Sequence, residues 1–397
     1  MKGIKQLSTA SLLAMYGTNA MAAVEDAGHI NLGPVEMVPV VSAGIGYDDN
    51  VYRKGEGELA DKGSTVYKLN AEAQFRAQTG LNTYAATLAA RNTNFSSQSD
   101  ASYTDVGVKG DIHQEFTSRH RLDAGFDLGR YHDAGSTVND VTDKSAPEYN
   151  RTQGSLKYGF GAQEAIMRAD LFGSYNKQNY RAGGEDKKTT EYGATGYYQF
   201  MPKTSALIEI KERKLDYTEE QNAAYDITSY LVGLSWDATA KSSGYAKLGR
   251  RYRSATGIER QDYTGWELGV SYLPVDRSLI QLSTTRDYGL ESDDPASADF
   301  TKGTTTRLTW EHQWTGKINT RASYSYSDES IQDGTGITEK ERKVNQLGLA
   351  VDWNIKHNIL LSASWQHVSR DETDKNGFTG AEDYKRSYYM LTGTLAL

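Results

Sequence analysis

The sequence predicts an all-β fold, a transmembrane antiparallel up-and-down β-barrel of about 18 strands, and three observations carry that prediction. Between residues 34 and 397, stretches of about a dozen alternating residues recur, joined in turn by connections of about two to five residues and by longer polar loops. No run of 18 apolar residues occurs and the mean hydropathy is −0.66, so no helix is predicted to cross a membrane. The composition is high in Gly (38) and Tyr (27) and low in Pro (6), which suits many long paired strands. Soluble propellers and solenoids also alternate, but with strands of about five or six residues.

Alternation places strands at Val38 to Tyr47, Val66 to Ala77, Thr83 to Phe95, Tyr103 to Phe116, His120 to Tyr131, Tyr149 to Gly161, Ala165 to Lys177, Thr190 to Phe200 and Ser205 to Tyr217. The second half continues with Tyr225 to Asp237, Gly244 to Ser254, Tyr263 to Leu273, Ser278 to Tyr288, Thr304 to Trp314, Lys317 to Ser327, Val344 to Ile355, Ile359 to Arg370 and Tyr384 to Leu397. The tight connections, such as Thr117-Ser118-Arg119, Met201-Pro202-Lys203-Thr204 and Lys356-His357-Asn358, follow every second strand. The intervening ones, such as Asp48 to Thr65, His132 to Glu148, Glu329 to Lys343 and Asp371 to Asp383, are rich in Gly, Asp, Ser and Lys. Membrane barrels place short turns in the periplasm and long loops outside, which fixes the expected orientation. A dozen residues at roughly 3.3 Å each, tilted by about 40°, match an apolar band of about 25 Å.

The two faces follow from parity. In Val344 to Ile355, the row Leu347, Leu349, Val351, Trp353 and Ile355 is predicted to meet lipid, and Gln346, Gly348, Ala350, Asp352 and Asn354 to line the interior. All six tryptophans then point outward, as do His312 and His367. Tyrosines 47, 67, 103, 131, 149, 192, 217, 225, 252, 263, 288, 326 and 384 fall at one rim and are expected to form an interfacial girdle. Arg250 and Arg286 also land on the outward side, which predicts a bulge, a slipped register or a position near the rim, because a midplane arginine costs about 2 to 4 kcal/mol.

Lys2 and Lys5, the apolar stretch from Leu7 to Tyr16 and Ala20-Met21-Ala22 have the order of a secretory signal peptide, with cleavage expected after Ala22 and residues 23–33 as a periplasmic segment before a barrel at 34–397. Cleavage would take the basic residues from 44 to 42 against 52 acids, a net charge near −10, which argues against nucleic acid as a partner. Cysteine is absent, which excludes thiolate metal sites and Cys nucleophiles. The seven histidines are scattered and no Gly-x-Ser-x-Gly occurs, so neither an enzyme nor a cofactor is expected. Asp48-Asp49-Asn50 and Ser292-Asp293-Asp294 read as turn chemistry rather than metal ligands.

The interior rows carry charges of both signs. The candidate lumen-lining set is Glu209, Lys211, Arg213, Lys247, Arg251, Arg253, Arg307, Glu311 and Arg321. The rows around Lys211 and Arg251 are either a cationic track along a water-filled wall or a set of ion pairs that hold the wall in shape.

The segment from Ser42 to Arg53, with Gly44, Gly46, Tyr47, Asp48, Asp49, Asn50 and Tyr52, resembles the opening of a family of outer-membrane barrels encoded with exopolysaccharide systems, the EpsL-like or VpsM-like proteins, also grouped as β-barrel porin 2. The resemblance implies an outer-membrane conduit for a secreted polysaccharide, working with a periplasmic export protein, embedded in outer-membrane lipid and lipopolysaccharide, and inserted by the barrel assembly machinery. The ending departs from the common assembly signal, with Leu395 and Leu397 where a terminal aromatic is usual. Two other functions use the same wall: a general or sugar-selective diffusion porin, which predicts a loop folded inward over opposed charge rows, and a surface receptor or adhesin.

Overall fold

The computed structural model describes residues 29–133, 145–181, 186–217, 224–239, 241–255, 258–289, 300–333, 336–375 and 383–397. The expected signal peptide and Ser292-Asp293-Asp294 lie outside the described residues. In chain order the strands are β1 (Ile30–Leu32), β2 (Val35–Asp48), β3 (Ser64–Thr79), β4 (Asn82–Phe95), β5 (Tyr103–Thr117), β6 (His120–His132), β7 (Glu148–Phe160), β8 (Met167–Tyr180), β9 (Lys187–Met201) and β10 (Thr204–Tyr217). They continue with β11 (Tyr225–Thr239), β12 (Ser242–Ala255), β13 (Ile258–Val275), β14 (Ser278–Gly289), β15 (Phe300–Gln313), β16 (Ile318–Gln332), β17 (Thr338–Lys356), β18 (Ile359–Asp374) and β19 (Tyr384–Ala396).

From β2 to β19 each strand pairs antiparallel with its neighbours in sequence, and β19 returns to β2 from Tyr388↔Asp48 to Ala396↔Val40. Eighteen strands therefore close into a barrel in which every strand has two neighbours and none is left at an edge. Among the described residues no helix is long and apolar enough to cross a membrane.

Three expectations need correction. The segment before residue 34 is not all outside the sheet: Gly33, at φ +71, and Pro34 turn the chain so that Ile30–Leu32 pairs with Val35–Met37. The alternation of connections is not strict either. Only residues 256–257 separate β12 from β13 at the long-loop end, and β13 runs from Ile258 where a loop was expected. Glu259, Arg260, Gln261 and Asp262 read as loop because they are polar, yet strands that rise above an apolar band can continue in water with both faces polar. The same reason extends β17 down to Thr338.

The third correction concerns the tyrosine rim. Tyr47, Tyr67 and Tyr192 are exposed on the outer face, but Tyr131, Tyr149, Tyr225, Tyr263 and Tyr288 are buried. Height along a strand decides the rim, whereas parity and local packing decide the side, and these five do not point to lipid. The side chain of Tyr217 lies outside the described residues.

The lipid-facing rows lie as parity predicts. Leu347, Leu349, Val351 and Trp353 are exposed, as are Leu156, Phe160, Tyr230, Val232 and Leu234. An apolar surface this extensive is incompatible with water on that side. Arg250 and Arg286 keep their outward side with no slip: the β11–β12 ladder is continuous from Tyr225↔Ala255 to Trp236↔Gly244, and Arg286 stands opposite Trp266. Arg250 pairs with Asp262, and Arg286 lies 5.2 Å from the Trp266 ring, so each is partnered near the long-loop end.

Candidate functional site

Among the described residues the barrel interior gathers the charged side chains, and its parts differ. Glu209, Lys211 and Arg213 stand on the inner face of β10, and Lys247, Arg251 and Arg253 on that of β12. Lys247 Nζ donates to Glu209 Oε2 at 2.8 Å and to Glu267 Oε2 at 3.1 Å. Lys211 Nζ and Arg251 Nη2 both donate to Glu267 Oε1 at 2.7 Å. Arg251 Nη1 and Arg213 Nη1 share Asp287 Oδ2 at 3.0 and 3.3 Å, and Arg213 Nε reaches Glu191 Oε2 at 2.8 Å. Arg251 is 0% exposed. The rows on β10 and β12 are thus a packed ion lattice and not an open cationic track.

The lattice also reports the shape of the wall. Strands β10 and β14 are four steps apart in the sheet. A flat wall would hold their backbones roughly 19 Å apart, beyond the combined reach of an arginine and an aspartate. The Arg213 to Asp287 contact therefore requires the wall to curl tightly from β10 to β14. Small inward residues allow it: a Cβ on Gly249 would fall 1.9 Å from the Tyr230 carbonyl oxygen, and one on Gly265 2.4 Å from Arg251 Nε.

Above the lattice, Leu215, Tyr225, Ile227, Tyr263, Tyr288 and Phe300 form an apolar cluster. The β13–β14 ladder begins at Trp266↔Arg286, so the upper part of β13 is not paired with β14. Tyr263 and Tyr288 meet there edge to face at 4.5 Å, and Arg253 lies 3.7 Å over Phe300 and 4.8 Å over Tyr225.

Parts of the wall outside the lattice are wetter. Lys109, on the inner face of β5, is 44% exposed and 3.4 Å from Asp127. On the inner faces of β15 and β16, Arg321 Nε donates to Glu311 Oε1 at 2.8 Å with both side chains partly exposed. Arg307 lies on the same face of β15, opposite Ser283 and Ser325.

The segment that carries the family resemblance forms the barrel seam and the first long loop. Asp48, fully buried at the end of β2, accepts a bidentate pair from Arg386 of β19, with Nη2 to Oδ2 at 2.6 Å. Asp49 Oδ1 accepts from the Ser387 backbone N–H at 2.6 Å. The Asn50 amide donates to the carbonyls of Lys54 and Lys385, and its oxygen accepts from the Lys54 N–H. These carboxylates serve protein donors, and among the described residues no cluster of three or more His, Asp or Glu is placed to hold a metal.

The first loop then turns inward. Val51, Tyr52 and Leu59 are buried against Val66, Phe95, Ala101 and Met390, of which Val66, Phe95 and Met390 belong to interior-facing rows. The Tyr52 hydroxyl donates to Gln98 at 3.2 Å. Gly44 and Gly46 form a bare floor below, since a Cβ on Gly46 would stand 2.1 Å from the Tyr389 carbonyl oxygen.

Sequence reading missed Glu191, Glu267 and Asp287 as lattice members. Parity already puts Glu267 and Asp287 on inner rows; what it lacks is the curvature that joins them to β10.

No family model matches the chain, and no curated protein matches it. Solved structures similar to it include OpdK from Pseudomonas aeruginosa with vanillate (10% identity, 91% of this chain, 98% of that chain, TM-score 0.47). Others are the siderophore receptor PirA from Acinetobacter baumannii (7%, 90% and 80%, TM-score 0.46) and the FrpB iron transporter from Neisseria meningitidis (10%, 86% and 63%, TM-score 0.45). The strand pairing itself defines the class: a closed, all-antiparallel, eighteen-stranded β-barrel with an apolar exterior and a charged interior.

Proposed function

We propose that the chain is an outer-membrane diffusion channel for small hydrophilic solutes, with its short turns in the periplasm and its long loops outside. The observation that carries this reading is the first long loop, packed inward on interior rows at the mouth of a barrel whose inner wall is charged and partly exposed. A loop packed on interior rows narrows the mouth of the barrel, as a small-solute channel requires. The apolar outer band supports insertion in outer-membrane lipid, and an eighteen-stranded barrel of this size leaves room for water.

Single-channel recording in planar bilayers tests the reading. The wild type is expected to conduct steadily, and Asn50→Ala, which removes the amide that ties the loop to Lys54 and Lys385, to conduct more and to be less readily blocked by sugars. Absence of conductance from correctly folded protein would overturn it.

Polysaccharide export is the second reading, supported by the resemblance over Ser42 to Arg53. It predicts that deletion of the protein removes surface polysaccharide while uptake of small solutes is unchanged. Its partners would be the polymer, a periplasmic export protein and, as for any such barrel, lipopolysaccharide and the assembly machinery.

A further inference from the structure

At the seam, three cations gather beneath the inward loop. Lys68 of β3 and Arg386 of β19 bracket the Tyr388 ring, with Nζ at 5.1 Å and Cζ at 5.2 Å from its centroid. Lys68 spans the intervening β2 because its neighbour there is Gly44, which has no side chain to stand in the way. Arg53 comes from the loop at φ +54, a left-handed backbone that a non-glycine residue adopts only when its surroundings hold it. Its guanidinium lies in the fields of Arg386, Asp48 and Tyr103, and burial with the repulsion of Arg386 pushes it below its ordinary value.

The cations here are not all paired. Asp48 is committed to Arg386 by its bidentate pair, and the nearby Asp105 is bound to His132 Nδ1 at 2.9 Å. Arg53 and Lys68 form no ion pair among the described residues. The Tyr388 hydroxyl is buried beside them with no hydrogen-bond partner, a donor left open. On the other side of the barrel, Lys211, Arg213, Lys247 and Arg251 each meet two carboxylates. The unpaired cation on that side, Arg253, lies 3.7 Å over the Phe300 ring inside a closed apolar cluster, whereas Lys68 and Arg53 stand only half-buried at the mouth of the barrel.

We infer that Arg53, Lys68 and the Tyr388 hydroxyl form a binding site for the carboxylate of a small organic acid passing the mouth of the barrel, with Arg386 as a third, wall-anchored charge. The assignment rests on the channel reading and narrows it to anionic solutes such as acidic sugars. A carboxylate takes two donors from a guanidinium and one each from an ammonium and a phenol, the set present here.

The test is block of single-channel current by sodium glucuronate, with glucose as the neutral match. Glucuronate is expected to block the wild type at lower concentration than glucose. Lys68→Gln and Arg53→Gln should each weaken that block about tenfold, while Lys68→Arg retains it and glucose block stays unchanged in all variants. Arg321→Gln, on β16 three strands from the seam, should leave glucuronate block within about twofold. Equal block by glucuronate and glucose, or glucuronate block that survives both Gln variants, would overturn the site. Tighter block by inorganic phosphate than by glucuronate would overturn the carboxylate assignment. Equilibrium dialysis of labelled glucuronate against the folded protein in detergent separates the two readings. Binding lost in Lys68→Gln without any conductance upholds the site and overturns the channel, whereas conductance with no glucuronate binding does the reverse.

Discussion

The arc from β9 to β14 and the arc from β15 through the seam to β6 contain inward charges of the same kinds, yet the two arcs use them differently. In the first, each of Lys211, Lys247, Arg213 and Arg251 is held by two carboxylates and is largely or wholly out of water. In the second, Lys109 is exposed with one carboxylate, Arg321 meets one, Arg53 and Lys68 at the seam meet none, and Arg342, near the long-loop end, is buried between Glu329 and Glu372. Curvature makes the difference. Where the wall curls, side chains from strands three and four apart converge, water is excluded and the charges take carboxylate partners, except Arg253, which lies over the Phe300 and Tyr225 rings. Where solvent reaches the wall, as at Lys109, it screens the charge and a single pair suffices.

The sharpest way to break this contrast is to remove one carboxylate from each arc. Glu267 accepts from Lys211, Lys247 and Arg251, so Glu267→Gln leaves three buried cations short of charge. A loss of about 3 to 5 kcal/mol is expected. Glu311→Gln, which removes the partner of Arg321 on the open wall, should cost no more than about 1 kcal/mol. Urea titration of the folded barrel in detergent reads both, and equal losses would show that the two arcs are not physically distinct.

A smaller effect tests the curl itself. The Gly265→Ala methyl would enter the space of Arg251 Nε at 2.4 Å and approach the Arg286 carbonyl at 2.9 Å. About 1 to 3 kcal/mol of overpacking is expected. Gly393→Ala, where an added Cβ meets nothing within 4 Å, should stay within about 0.5 kcal/mol of wild type in the same titration. A harmless Gly265→Ala would mean that the wall there is looser than the lattice requires.

Much of the barrel is legible in the sequence because its signal is local. Twelve-residue alternation gives strand number, register and outward rows such as Leu347 to Ile355 without any knowledge of neighbours. What cannot be read locally depends on contacts across the interior. Lys211 to Glu267 and Arg213 to Asp287 join strands that the chain separates by 56 and 74 residues, and no period in the sequence marks them. The rim tyrosines show the same limit, since Tyr47 and Tyr263 share a height but face lipid and interior respectively. Asp48-Asp49-Asn50 reads as a turn, and only the seam reveals that its partners are Arg386, Lys385 and Ser387.

The gentlest test leaves the fold intact and asks which arc a passing ion feels. Lys109→Gln removes a charge that is 44% exposed and whose partner Asp127 is also approached by Arg151 at 3.7 Å, so stability should change by less than about 1 kcal/mol. Its effect should appear instead in the reversal potential across a salt gradient, shifted towards cation preference because a positive charge has left a water-facing wall. Arg251→Gln changes the formal charge of the barrel by the same amount, but at a residue with no exposure. It should lower stability and leave the reversal potential where it was in the channels that do fold. If Arg251→Gln moves the potential and Lys109→Gln does not, the solute path runs along the β9–β14 arc, and the assignment of dry and wet sides is reversed.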